Sequence, residues 1–208
     1  MTFTTTIRCH DDDEDDAVSY KAPKIPAPKG HDGRLIDLPS RLFLDRVLWL
    51  GTEVNSTTSN SLVQQLTALQ LEDPVKPITL YINSPGGSIV DGMAIYDTIR
   101  RSTAPVHAVV SGMAASMGAV ILSGCAKGHR SIMKHGEVLL HQPLGGARGQ
   151  ATDIEISANR ILKMKKTLLQ ILAENTGHPF EKLEEDCDRD YWLDAEDALA
   201  YGIIDKII

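Results

Sequence analysis

Cysteine is scarce in this chain of 208 residues. Cys9, Cys125 and Cys187 are odd in number and widely spaced. They fit neither a zinc motif nor a disulfide framework, which points to a reducing compartment, the cytoplasm. No run of 18 apolar residues occurs, so nothing reads as a membrane-spanning helix. Met1 to Asp16 lacks both a basic start and an apolar h-region, which argues against a secretory signal. Basic residues are in deficit as well: 21 Lys and Arg against 28 Asp and Glu leave a net charge of −7. That balance argues against a general nucleic-acid binder. No pair among the seven histidines has a convincing metal-ligand arrangement, so no catalytic metal is expected. What is present is the composition of a globular domain, 42% apolar and 24% charged, in a length that buries a sizeable core.

Residues 1–36 differ from the rest. Asp11 to Asp16 is an acidic run, and Lys21 to Gly33 is rich in Pro, Lys and Gly with almost no large apolar side chain. Such a stretch buries too little surface to offset its ordering entropy, so a flexible segment is expected, whether propeptide, partner-contacting arm or plain tail. Residues 37–208 form the globular domain. Val47–Leu50, Ile78–Ile82, Val106–Val110 and Val138–Leu140 read as buried strands. Ser61–Leu71, Ile89–Arg100, Ser116–Cys125 and Thr152–Glu174 read as helices. Repeated strand–helix units predict an α/β fold with a largely parallel sheet. In the longest helix Ile154, Ala158, Ile161, Leu162, Leu168, Leu169 and Leu172 make one apolar stripe. Ile156, Met164 and Ile171 form a second face, read as a subunit contact.

Three segments carry chemistry. Ser116 opens a helix after a strand and a small-residue loop, where a helix N-terminus faces developing negative charge. The bland alternative there is a capping serine. His141 ends an apolar strand, and its unperturbed pKa suits proton shuttling. His107, in an expected core strand, reads instead as a satisfied structural histidine, His129 and His135 as turn residues, and His10, His31 and His178 as surface residues. A serine hydroxyl is a weak nucleophile until an imidazole takes its proton, and that imidazole needs a carboxylate to fix its tautomer. Glu184, Glu185, Asp186, Asp188 and Asp190 crowd one region, so spacing alone does not select the carboxylate. The order Ser…His…Asp differs from the chymotrypsin, subtilisin and α/β-hydrolase orders. Ser84-Pro85-Gly86-Gly87 is a turn able to aim backbone N–H groups at an oxyanion, or a plain turn after a strand. Gly145-Gly146 and Gly149 could leave a strand edge open to an extended peptide.

Tyr81–Gly87, Ala114–Ala119 and His141–Gly146 resemble the three signature blocks of the ClpP family, the proteolytic subunits of the Clp protease. Gly149–Ile156 and the Asp-Arg-Asp before Tyr191 extend the likeness from about Asp37 to the C-terminus. The resemblance implies a ClpP/crotonase-type fold of stacked strand–helix units with a long handle helix joining two rings. It implies a serine endopeptidase, with Ser116 as nucleophile, His141 as base and acid, and Asp190 as orienting carboxylate. Gly87 and Met117 would supply the oxyanion N–H groups, and Asp188 and Arg189 a contact with the opposite ring. It further implies two stacked heptameric rings, homomeric or mixed with a second paralogue, acting on unfolded polypeptides. No cofactor is expected in this chain; ATP would be used by a separate AAA+ unfoldase of the Clp family. Thr79 and Arg101 stand where aromatics usually line the unfoldase-docking pocket, with Tyr81 kept, which leaves the docking partner open. Other readings are a non-catalytic subunit of a mixed ring and a crotonase-type acyl-CoA enzyme. The intact Ser-His-Asp set disfavours the first, and the absence of a basic cluster for a CoA phosphate disfavours the second.

Overall fold

The structure, a computed structural model, describes residues 23–28, 34–143, 146 and 148–208. The acidic run and His10, His31 and Cys9 lie outside the described residues. The chain divides into two compact units between Arg41 and Leu42. In the first, β1 (Lys24–Pro26) pairs antiparallel with β2 (Leu35–Asp37), placing Ile25 opposite Ile36. Asp37 then caps α1 (Leu38–Leu44): its Oδ1 accepts the Ser40 N–H at 2.7 Å, which draws its carboxyl below the usual range.

The second unit holds the sheet. In chain order its elements are β3 (Val47–Leu50), α2 (Ser56–Glu72), β4 (Ile78–Ser84), α3 (Ile89–Arg101) and β5 (Val106–Ala115). There follow α4 (Met117–Gly124), β6 (Arg130–Ile132), β7 (Glu137–Leu140), α5 (Ala151–Thr176) and α6 (Phe180–Asp186). β8 (Tyr191–Leu193), α7 (Ala195–Tyr201) and β9 (Lys206–Ile207) complete it. Strands β3, β4, β5, β6 and β9 run parallel in that order; β7 joins β5 in parallel, and β8 joins β7 antiparallel. This is the α/β architecture with a largely parallel sheet that the alternating pattern predicts.

Period-2 alternation decides what the sheet buries. Leu48, Leu50, Ile78, Leu80, Ile82, Val106, Ala108 and Val110 join Leu62, Leu66 and Leu69 of α2 and Ile95 and Ile99 of α3 in one core. The intervening residues face outward. There Trp49 stacks on Tyr81 with ring centroids 5.0 Å apart, and His107 stacks on His129 at 3.9 Å. His107 lies in core strand β5 but on its outer face, stacked on His129, because Val106 and Ala108 take the inward positions. Burial, with the neighbouring His129, holds its pKa below the ordinary value. His178 is likewise more than a surface residue: it is half-buried, packs on the Tyr201 ring, and its Nε2 lies 3.1 Å from Tyr201 O.

A bulge re-aims β5. Its register against β4 slips between Ile82 and Ser84, so Ile82 pairs with Val110 but Ser84 with Ala114. Gly112 sits in the slip at φ 119°, and a Cβ there would overlap the Asn83 side chain. Asn83 Oδ1 in turn accepts the Met113 N–H at 3.2 Å. Before the bulge β5 pairs with β6; after it β5 pairs with β7. Bulges commonly redirect a strand beside an active site.

Helix α5 is packed over only its second half. Leu168, Leu169, Leu172 and Ala173 are buried, whereas Ile154, Ile156 and Leu162 are exposed. The apolar stripe thus enters the core from Leu168 onward, and Ile154, Ile156 and Leu162 before it are exposed. Ile171 belongs with the packed half, lying against the core, so it leaves the proposed second face. Gly177 ends the helix in the left-handed conformation, φ 88°, which costs a glycine little.

Candidate active site

Three neighbouring strands deliver the three expected residues to one edge of the sheet. Ser116 follows the last residue of β5, and its N–H bonds Leu139 O of β7 at 2.9 Å. His141 follows the last residue of β7. Leu140 pairs with Tyr191 across the antiparallel β7–β8 ladder, so His141 comes opposite Asp190. His141 Nδ1 lies 3.5 Å from Asp190 Oδ1. Among the candidate carboxylates Asp190 alone forms an ion pair with His141 among the described residues.

Ser116 occupies the N-cap position of α4 at φ 54° and ψ −118°, with no cap hydrogen bond from its side chain. A non-glycine residue held at positive φ carries strain of about 1–3 kcal/mol. A capping serine would adopt extended φ and put its oxygen on the helix N–H groups. Neither is true here, so the capping explanation fails. Ser116 and His141 line one pocket with Ile89, Met117, Val120 and Leu168. No hydrogen bond joins Ser116 Oγ to the imidazole. Side-chain contacts of this kind are often long before substrate binds.

The glycine turn is packed onto the serine turn. A Cβ on Gly86 would lie 2.7 Å from Ala115 O and Ser116 Cβ, and 2.9 Å from Met117 N. Gly86 is at φ 90° and Gly87 at φ 141°, conformations glycine reaches without strain. A Cβ on Gly87 would collide with Val54 O. Ser84 braces the turn from below, its buried Oγ donating to Thr52 O at 2.6 Å and accepting the Gly86 N–H at 3.2 Å. Neither the Gly87 nor the Met117 N–H has an acceptor among the described residues. Met117 is the first residue of its helix, where an unpaired N–H is inherent.

The aspartate side of the site is held more loosely. Gln142 bridges the two strands' ends: its N–H donates to Cys187 O at 2.7 Å and its Nε2 to Asp188 O at 3.0 Å. Nothing in the sequence marks Gln142 for this role beyond its place after the histidine; Asn83 and Ser84 lie in the Tyr81–Gly87 block, though nothing in it marks their bracing roles. Asp190 is 65% exposed and Arg189 94% exposed, with Arg189 Nε 3.9 Å from Asp188 Oδ2. Cys187 is buried, which pushes its thiol up to about 11, and Cys125 is pushed up to about 12. Of the glycines expected to leave a strand edge open, Gly145 lies outside the described residues, while Gly146 and Gly149 are described, Gly149 at φ 134°. Arg101 lines a polar groove with Thr67, Gln70, Asp97 and Thr98, apart from Thr79 and Tyr81 on β4. Among the described residues no group of three or more His, Cys, Asp or Glu could hold a metal ion. No helix among them is long and apolar enough to cross a membrane.

Strand–helix units stacked on a parallel sheet, with a strained serine and a histidine at one edge, define an α/β protein of the ClpP/crotonase type. The family model for Clp protease matches residues 29–208. The chain belongs to that family, and is a ClpP-like peptidase.

Proposed function

We propose that the chain is a serine endopeptidase that cuts unfolded polypeptides through an acyl-enzyme. The observation that carries this is Ser116: it is strained, caps nothing, and shares a pocket with a histidine set opposite Asp190. Ser116 Oγ attacks the scissile carbonyl as His141 takes its proton. The Gly87 and Met117 N–H groups receive the oxyanion, and His141 returns the proton to the leaving amine. Water then repeats the sequence on the ester. The pocket beside Ser116 is small, about 20 Å³, and walled by Ile89, Val120, Leu140, Leu168 and Leu172, so the residue before the scissile bond is expected to be apolar.

The exposed half of α5, with Ile154, Ile156 and Leu162, is the handle that meets a second ring. Asp188 and Arg189 contribute to the same contact. Stacked heptamers, homomeric or mixed, would close the chamber, and a separate AAA+ unfoldase using ATP would feed it; this chain needs no cofactor of its own. Buried free thiols at Cys125 and Cys187 suit the cytoplasm. The test is a serine-directed fluorophosphonate together with a fluorogenic peptide assay. Labelling at Ser116 with parallel loss of hydrolysis supports the reading. Hydrolysis that survives complete labelling overturns it.

A further inference from the structure

A second groove adjoins the pocket beside Ser116. The two share Ile89 and Leu168 as a common wall. Beyond that wall the groove runs between the start of α3, with Val90 and Met93, and the middle of α5. From α5 it takes Arg160, Lys163, Met164 and Thr167. Its floor is thus apolar and its rim carries two cations. Neither has a carboxylate partner among the described residues, and α5 itself supplies none: no Asp or Glu occurs between Glu155 and Glu174, while Arg160, Lys163, Lys165 and Lys166 do. In a chain of net charge −7 this is a local reversal of sign.

We infer that this groove selects an acidic side chain in the substrate, at a position flanking the apolar residue before the scissile bond. The inference rests on the peptidase reading, because the groove is a subsite only if a peptide lies in the neighbouring pocket. An extended peptide repeats its side chains on one face about every 6–7 Å. A peptide anchored in the first pocket therefore reaches the second with a neighbouring residue. A Glu or Asp there lays its methylenes on Val90, Met93 and Met164 and its carboxylate against Arg160 and Lys163. Arg can hold that carboxylate through two parallel hydrogen bonds, with Lys as a second point charge. The groove is open to solvent, so the selectivity is modest and salt-dependent.

The experiment uses amidated, internally quenched peptides that share one apolar residue before the cut. A single Glu, Gln or Lys is placed in turn at each of the flanking positions. Glu should exceed Gln by about fivefold in kcat/KM at one or two positions, with Lys below Gln. The advantage should shrink as salt rises. In Arg160→Gln/Lys163→Gln the Glu/Gln ratio should fall to about one, and in Arg160→Glu/Lys163→Glu the preference should pass to Lys. Equal turnover of the three peptides at every position overturns the inference, as does a Glu advantage that survives loss of both cations. Charge reversal that alters assembly without altering peptide choice also overturns it, and assigns the groove to a second copy of the chain. Anisotropy binding of the labelled peptides to Ser116→Ala separates this from the peptidase reading. Tighter binding of the Glu peptide by an assembled chain that never cleaves keeps the groove and fails the enzyme. Equal binding there fails the groove.

Discussion

Two carboxylate–base pairs in this molecule are built in opposite ways. Arg130 and Asp205 form a finished lock. The guanidinium is 2% exposed and donates to both Asp205 oxygens, at 2.9 and 2.7 Å, and to Asn175 O and Gly202 O. Asp205 also accepts the Gly128 and Arg130 N–H groups. That one pair ties β6 and β9 to the ends of α5 and α7. His141 and Asp190 form the unfinished pair: 3.5 Å apart, with Asp190 mostly in solvent and a 94% exposed Arg189 beside it. The lock is complete within one chain. The His141–Asp190 pair has its histidine at the end of a sheet strand and its aspartate mostly exposed to solvent.

The largest effect should come from removing the serine that the unfinished pair serves. Ser116→Ala is expected to lower peptide hydrolysis by about 10⁴–10⁶-fold with fold and assembly unchanged. His141→Ala should do nearly the same, and the double variant should be little worse than either, since the two act as a unit. Peptidase assays beside native mass spectrometry check this; retained turnover in purified Ser116→Ala sinks the assignment.

The fold was legible where burial alone decides it. Ile78–Ile82, Ile89–Arg100 and Thr152–Glu174 lie within or match β4, α3 and α5, because each carries an unbroken apolar period. The short elements β6, β8, β9 and α6 carried no such signal; Arg130, a charged residue in a buried strand, hid the first of them. The serine and histidine were legible as a setting, strand end before helix and strand end before loop. Asp190 was legible only through the resemblance of Asp188-Arg189-Asp190 to the family pattern, because its selection by geometry depends on the β7–β8 register, a long-range pairing that acidic spacing does not encode. The bulge at Gly112 was equally silent: it needs Asn83, some 30 residues away.

Breaking the lock tests the other side of the contrast. Asp205→Ala leaves Arg130 buried and unpaired, which costs about 3–5 kcal/mol of stability, read as a lower thermal or urea midpoint. A loss below about 1 kcal/mol would mean that the pair behaves as a solvated one. The pH response has a definite sign. Burial alone would raise the Asp205 pKa, but the Arg130 hydrogen bonds and the backbone N–H groups outweigh it and hold the carboxyl below its ordinary value. Stability from this pair is therefore full above the unfolded carboxylate pKa of about 3.9, and is lost as pH falls through the lower folded value. Acid lability over that window should be smaller in Asp205→Ala than in the wild type.

Arg189 decides whether the unfinished pair is completed by assembly. If its guanidinium bridges to a carboxylate of a facing ring, the contact lies one residue from Asp190 and holds it at His141. Arg189→Ala should then give single rings, with activity lower by about 10²-fold, because a misplacement of about 1 Å in a catalytic group has that effect. Sedimentation as the full double ring with unchanged turnover would return Arg189 to an ordinary surface residue.

The smallest effect should separate what the chain itself contributes to Asp190 from what assembly adds. Within one subunit the 187–190 turn is tied to the histidine strand by Gln142, through its N–H to Cys187 O and its Nε2 to Asp188 O. Gln142→Ala keeps the backbone bond and removes the side-chain bonds, to Asp188 O at 3.0 Å and to Asp188 Oδ1 at 3.4 Å. Such solvent-exposed hydrogen bonds, one of them long, contribute about 0.5–1.5 kcal/mol together, so kcat should fall by about three- to tenfold. KM should stay put, because Gln142 touches the aspartate segment and not the apolar pocket. The ring should still assemble, since Arg189 is intact. A rise in KM at constant kcat would place Gln142 in peptide binding. Loss of the double ring would show that the 187–190 turn is shaped by Gln142 before the facing ring can dock on it.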